Sequence, residues 1–338
     1  MSLTGVVDFS PVTRPQPATA PPGPAEVDLS VDVGALSFKN PIIAASGTFG
    51  YGVEFAELVD LNRLGGIVVK GLSPVPMAGA KEPRICDTPS GMVNAIGLQN
   101  IGVQAFVAEK LSLLRSYNTQ IVANIFGESV DAYVEVIRVL EQAEGVGGYE
   151  LNVSCPNVGK GGVEFSTDPG SLAAVVSAAR LATKRPLWVK MSPTVGFIGL
   201  MAKAAEDSGA DALTVANTYP ALCIDAHSRK SRLGSTMVGL SGPAIKPITL
   251  RLVYEACKAV RIPVVGLGGI ETPEDVVEYM LSGASAVQVG TAHFVDPRAS
   301  ERLVEGLGKW CRANKVFQLS SLRGGLTVKT ELNQATRN

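Results

Sequence analysis

The chain has 338 residues, 46% of them hydrophobic and 18% charged, with 30 basic against 31 acidic side chains and a formal net charge of −1. No basic block stands out, so duplex nucleic acid, whose binding rests on clustered Lys and Arg, is not an expected partner, and no apolar run reaches the ~18 residues of a membrane span. The five cysteines, Cys86, Cys155, Cys223, Cys257 and Cys311, form no CxxC. This argues for a reducing, cytoplasmic setting and against a zinc or iron–sulfur site in this chain.

Residues 1–26 are rich in Pro and Ala and lack the basic start and apolar segment of a secretory signal, so they read as a disordered tail. "LSVDVGALSFKN" (29–40) alternates around a glycine and predicts a hairpin closing one end of the fold. Eight short apolar runs follow: "PIIAAS" from Pro41, "GGIVVKG" from Gly65, "QIVANIFG" from Gln120, "GYELNVS" from Gly148, "PLWVKMS" from Pro186, "ALTVANT" from Ala212, "PVVGLGG" from Pro263 and "AVQVGT" from Ala286. Amphipathic segments separate them. Leu172, Val175, Val176 and Ala179 keep helical spacing. In "ETPEDVVEYMLSGA", Thr272 is placed to cap a helix, Pro273 to open it, Asp275 to face its positive end and Gly283 to close it.

Strands apolar on both faces, each followed by a helix, are parallel strands. Eight such units predict an α/β fold, a (β/α)8 TIM barrel over 27–314 with the short N-terminal hairpin at its bottom; 315–338 form a C-terminal extension. An open doubly wound sheet is the structural alternative.

In such a barrel the chemistry sits where the strands end. Those ends carry Ser46, Lys70, Asn124, Asn152 with Cys155, Lys190, Asn217 with Thr218, Gly268 with Gly269, and Gly290 with Thr291. Asn, Ser and Gly favour turns in any protein, but lysine is almost never buried without purpose. Glycines after the seventh and eighth strands let backbone N–H groups approach an anion, which predicts a phosphate-bearing ligand. The neutral amides of Asn94, Asn152, Asn157 and Asn217 suit the edges of a flat heterocycle. His227 and His293 read as surface or structural residues. Cys155 stands between two asparagines before a glycine-rich loop, a setting for a proton-transferring base; a covalent nucleophile is the other reading, with no histidine close in sequence.

The ordered set "NPIIAASGTFGYG", "VVKG", "PSGMVNAIGLQN", "YELNVSCPNV", "VKMSP", "ANT", "GLSGPAIKP", "GLGGI" and "VGT" resembles the dihydroorotate dehydrogenases over residues 29–310. Cysteine in "NVSCPN" is similar to class 1 members, and "NAIGLQN" with "GLSGPAIKPITLRLVYE" to the class 1B catalytic subunit. The resemblance implies oxidation of (S)-dihydroorotate to orotate on the route to UMP, with one FMN per chain. It implies that Cys155 takes the C5 proton. Lys70, Asn94, Ala95, Ile96, Gly97, Leu98, Asn152, Asn157, Asn217 and Thr218 would hold the substrate. Ser46, Lys70, Gly71, Asn124, Asn152, Lys190, Ala216, Gly242, Gly268, Gly269, Gly290 and Thr291 would contact the flavin. It also implies a homodimer that joins a subunit carrying FAD and a [2Fe–2S] cluster, giving a heterotetramer that passes electrons to NAD+. This chain has no strand-linked GxGxxG and no cysteine cluster with which to house that relay itself.

Three alternatives stand beside this reading. One is a class 1A-like enzyme that uses fumarate. Another is a non-redox barrel enzyme acting on a phosphorylated metabolite, and the third is an idle scaffold. The strand ends lack the Asp or Glu base an isomerase needs, and a scaffold gains nothing from Lys70 and Lys190 facing a cleft.

Overall fold

The computed structural model describes residues 26–153, 165–166 and 168–327. Cys155 and Asn157 lie outside the described residues, as do all but Glu26 of the predicted tail and 328–338 of the C-terminal extension.

Eight parallel strands close a barrel: Ile42–Ala44, Gly66–Leu72, Gln120–Ile125, Gly148–Asn152, Leu187–Lys190, Ala212–Val215, Val264–Leu267 and Ala286–Val289. The first strand pairs with the second through Ile43↔Gly66 and with the eighth through Val289↔Ala44, which closes the ring. Each of the eight apolar runs supplies one strand. Their burial is nearly continuous, as expected when one face meets the barrel interior and the other meets helices.

The helices follow the sequence signals closely. Pro169–Ala182 buries Leu172, Val175, Val176 and Ala179 against the barrel. Pro273–Leu281 begins with a capping box: the Thr272 hydroxyl accepts from the Asp275 N–H, and the Asp275 carboxylate accepts from the Thr272 N–H at 2.7 Å. Gly283, at φ 113°, turns the chain out of that helix.

At the N-terminal end, Val31–Val33 and Leu36–Phe38 form the expected antiparallel hairpin. Its Phe38 ring lies 5.9 Å from that of Trp188 inside the barrel, and both are fully enclosed. This pair plugs the bottom. The C-terminal segment is tied to the same end: Gln318 bridges to Asp28, and Leu319 is buried in the common core.

Two features depart from the regular pattern. The first connection holds only the 3-10 turns Val53–Phe55 and Leu61–Arg63. The stretch over 219–243, between the sixth and seventh strands, contributes Tyr219–Ala221 and Val238–Ser241 to a four-stranded antiparallel sheet with Gly91–Asn94 and Ile85–Thr88. Among the described residues no helix is long and apolar enough to cross a membrane.

Candidate active site

The C-terminal ends of the barrel strands open into a cavity of about 600 Å³, within the range of small-molecule and cofactor sites. Every described residue singled out from the sequence as a site residue lines it. The first two strands deliver Ser46, Lys70 and Gly71, and the third and fourth deliver Asn124 and Asn152. Lys190 ends the fifth, and Ala216, Asn217 and Thr218 follow the sixth. Gly268 and Gly269 follow the seventh strand and Gly290 and Thr291 the eighth, while Gly242 enters from the antiparallel sheet.

That sheet also brings Asn94, which ends Gly91–Asn94, and the loop residues Ala95, Ile96, Gly97 and Leu98. Gly97 and Leu98 are both left-handed, with φ of 68° and 58°. For a leucine this conformation costs on the order of 1–3 kcal/mol and is met chiefly where function fixes the backbone. All four residues of the turn line the cavity.

The glycines after the seventh strand serve a close approach. Gly269 has φ 68°, and a β-carbon there would lie 2.9 Å from the Gly242 carbonyl oxygen and 2.8 Å from Lys246 Cβ. No other residue fits without moving backbone. Beside this cradle the Thr291 hydroxyl donates to the Ser241 hydroxyl at 2.8 Å.

Two of the amides pair with each other, and a third is held by backbone. Asn217 donates to the Asn152 side-chain oxygen at 3.3 Å, and Asn94 donates to the Gly239 carbonyl at 3.0 Å. The Tyr133 hydroxyl donates to the Asn152 carbonyl at 2.8 Å and fixes the end of the fourth strand. Both predicted lysines reach the cavity. Lys190 is only 6% exposed. Burial draws the Lys70 ammonium below the usual lysine range and the Arg84 charge adds to this, with Glu54 opposing.

The histidines stand apart. His293 is buried, its Nε2 is 2.8 Å from the Ser300 hydroxyl and its ring packs on Phe49. His227 is exposed in the small hairpin over 224–231.

Other lining residues carry little sequence signal, among them Thr48, Phe126, Ser192 and Thr194. Glu150 is a further omission. It sits among "GYELNVS" as the one charged residue of an apolar run, and it is wholly enclosed beneath the cavity.

The protein-family model described as dihydroorotate dehydrogenase matches residues 28–310. The chain belongs to the dihydroorotate dehydrogenase family. The match runs from the start of the hairpin to the helix Ala299–Ala313 and so takes in the whole barrel and the cavity. A relative from Solibacter usitatus, provisionally named dihydroorotate dehydrogenase A (fumarate), is 55% identical over 88% of this chain and 98% of its own length. The catalytic subunit of dihydroorotate dehydrogenase B (NAD(+)) from Trichlorobacter lovleyi is 50% identical over the same shares. The corresponding subunit from Pelobacter propionicus is 48% identical. A crystal structure of DHODH from Eimeria tenella in complex with ferulenol superposes with a TM-score of 0.73, at 22% identity and 88% coverage of each chain. That likeness concerns the fold.

FMN is the flavin of the dihydroorotate dehydrogenases, and the chemistry of this cavity suits it. Gly242, Gly268, Gly269 and Gly290 line one wall of the cavity without side chains, the kind of wall at which backbone N–H groups meet a phosphate. Asn124 is 1% exposed, and its side-chain oxygen has no hydrogen-bond partner among the described residues. A buried orphan acceptor of this kind is costly unless a ligand satisfies it. Two lysines and a set of amides complete a donor set suited to a flavin and a pyrimidine. The residues fit.

Proposed function

We propose that this chain binds FMN and oxidises (S)-dihydroorotate to orotate, the redox step on the route to UMP. The observation that carries this is convergence: in a chain of this family, residues from all eight strand ends and from the loop 95–98 meet in one cavity.

Ser46, Gly71, Asn124, Lys190, Ala216, Gly242, Gly268, Gly269, Gly290 and Thr291 would hold the flavin, with its phosphate at the glycine cradle. FMN, when bound, supplies the two-electron acceptor for the hydride that leaves substrate C6. The chain's own residues do the rest. Asn94, Asn152, Asn157, Asn217 and Thr218 pair with the polar edges of the pyrimidine, and the backbone of Ala95, Ile96, Gly97 and Leu98 closes over it. Lys70 sits beside both ligands as a cation. Cys155, as thiolate, removes the proton from C5, so that C5–H and C6–H are broken and C5=C6 is formed. An unperturbed thiol, near pKa 8.5, is within reach of this task at neutral pH. Lys190 places positive charge where charge develops on reduction.

Electrons leave by a route that the relatives bracket. Several are named as NAD(+)-linked catalytic subunits, and on that basis we assign this chain a partner subunit with FAD and a [2Fe–2S] cluster, a homodimeric core and a cytoplasmic location. The second reading, direct use of fumarate, is favoured by the Solibacter relative. Steady-state assays of orotate formation decide between them. The NAD+-linked reading predicts no fumarate turnover by the isolated chain and NAD+ turnover once the partner subunit is added. Fumarate-dependent turnover by the chain alone establishes the second reading, and absence of orotate with every acceptor sinks both.

A further inference from the structure

Beneath the proposed flavin site lies a polar layer that the reaction does not use. Glu150, fully buried, is the register partner of Asn124 on the neighbouring strand. One of its oxygens accepts from the Asn124 amide nitrogen at 2.7 Å. The other accepts from the Thr214 hydroxyl at 2.6 Å and from the Gln288 amide nitrogen at 2.5 Å. The four residues come from the third, fourth, sixth and eighth strands and cross the barrel interior. That interior is ordinarily filled with branched apolar side chains. A carboxylate there, held by three neutral side chains, is expensive to bury, so it calls for a function.

Its effect on Asn124 follows from simple hydrogen-bond logic. A carboxylate only accepts, so the amide must turn its NH2 group toward Glu150. The side-chain oxygen is thereby forced to the opposite side, where no described residue meets it. Gly71, which lines the cavity, stands over that oxygen. A β-carbon at position 71 would come within 3.0 Å of it. The glycine keeps the approach to the acceptor clear.

We propose that Glu150 is a positioning residue: it locks the Asn124 amide so that its oxygen is offered to the flavin as an acceptor. This rests on the FMN reading above. The oxidised flavin ring carries a single N–H, at N3, and that group is the ring's only match for a fixed acceptor. Glu150 touches neither ligand and acts through Asn124 alone.

The test is equilibrium binding to the apoprotein, read by quenching of flavin fluorescence, with FMN and with FMN methylated at ring N3. Wild type is expected to bind FMN at least tenfold more tightly than the methylated form. Glu150→Leu and Asn124→Ala should each abolish that preference and weaken FMN binding roughly tenfold, the size of one hydrogen bond to a buried group. The double variant should be no weaker than Asn124→Ala. Preference retained in Glu150→Leu, or losses that multiply in the double variant, would overturn the proposal, because a merely structural carboxylate lowers thermal stability without touching ligand choice. Should Glu150→Leu fail to fold, Glu150→Met decides: its flexible thioether fills the same space without a strong acceptor, so the preference must vanish, and its persistence counts against the mechanism. A wild-type protein that binds neither flavin would instead refute the FMN reading itself.

Discussion

The two ends of one barrel strand carry opposite chemistry. Trp188 and Lys190 are two residues apart on the fifth strand and so share a face. Trp188 packs on Phe38 at the closed bottom, and Lys190 lines the open mouth. On the fourth strand Glu150 and Asn152 share the inner face in the same way, Glu150 enclosed beneath the cavity and Asn152 lining it. The bottom is built for cohesion, whereas the mouth accepts a strained leucine, a buried lysine and an amide oxygen with no partner among the described residues. Such costs gather where a site must be preorganised. Changes at the mouth should therefore alter chemistry with little effect on folding, and changes at the bottom should do the reverse.

The sharpest break of that division is at Cys155. Cys155→Ser should cut the rate of flavin reduction by 10²–10⁴-fold, the usual worth of a positioned base, while the flavin stays bound. At the other end, Trp188→Ala should cost roughly 3–5 kcal/mol of stability in urea unfolding and leave FMN affinity unchanged. Lys190→Met should lower turnover about 10²-fold, as for removal of one charge-stabilising group, and make the flavin harder to reduce, with a melting temperature equal to or above that of wild type.

The smallest effect concerns His293, buried against Phe49 just behind the cavity-lining Ala292. Burial pulls its pKa down to about 4 from the ordinary 6.5. The unfolded chain thus binds a proton between those values that the native state refuses. Stability from this residue is complete above pH 6.5 and falls as pH drops toward 4. Between pH 6.5 and 5 the loss should be roughly 2 kcal/mol, and His293→Gln should flatten that part of the profile in chemical denaturation.

Much of the cohesive half was legible in the sequence. Each barrel strand is a predominantly apolar run, because both of its faces are buried, and the Thr272–Asp275 capping box is local chemistry. The mouth was legible where polar residues end such runs, as at Lys70 and Lys190. The antiparallel sheet over the cavity was not. Ile85–Thr88 is half exposed and pairs with its neighbour Gly91–Asn94, which in turn joins Val238–Ser241 from a distant part of the chain, so neither composition nor period marks the sheet. Glu150 escaped for a different reason. One charged residue in an apolar run gives no hint that three donors from three other strands converge on it, because that meeting exists only once the barrel has closed.

The most direct measurement is anaerobic rapid mixing of the flavin-loaded protein with dihydroorotate, following the flavin absorbance near 450 nm in wild type and Cys155→Ser. Bleaching within one turnover in wild type, slowed at least a hundredfold in the serine variant, is what the mouth's assigned chemistry demands. Equal bleaching rates in the two proteins would remove Cys155 as the base, and an unbleached wild-type flavin would contradict dihydroorotate oxidation altogether.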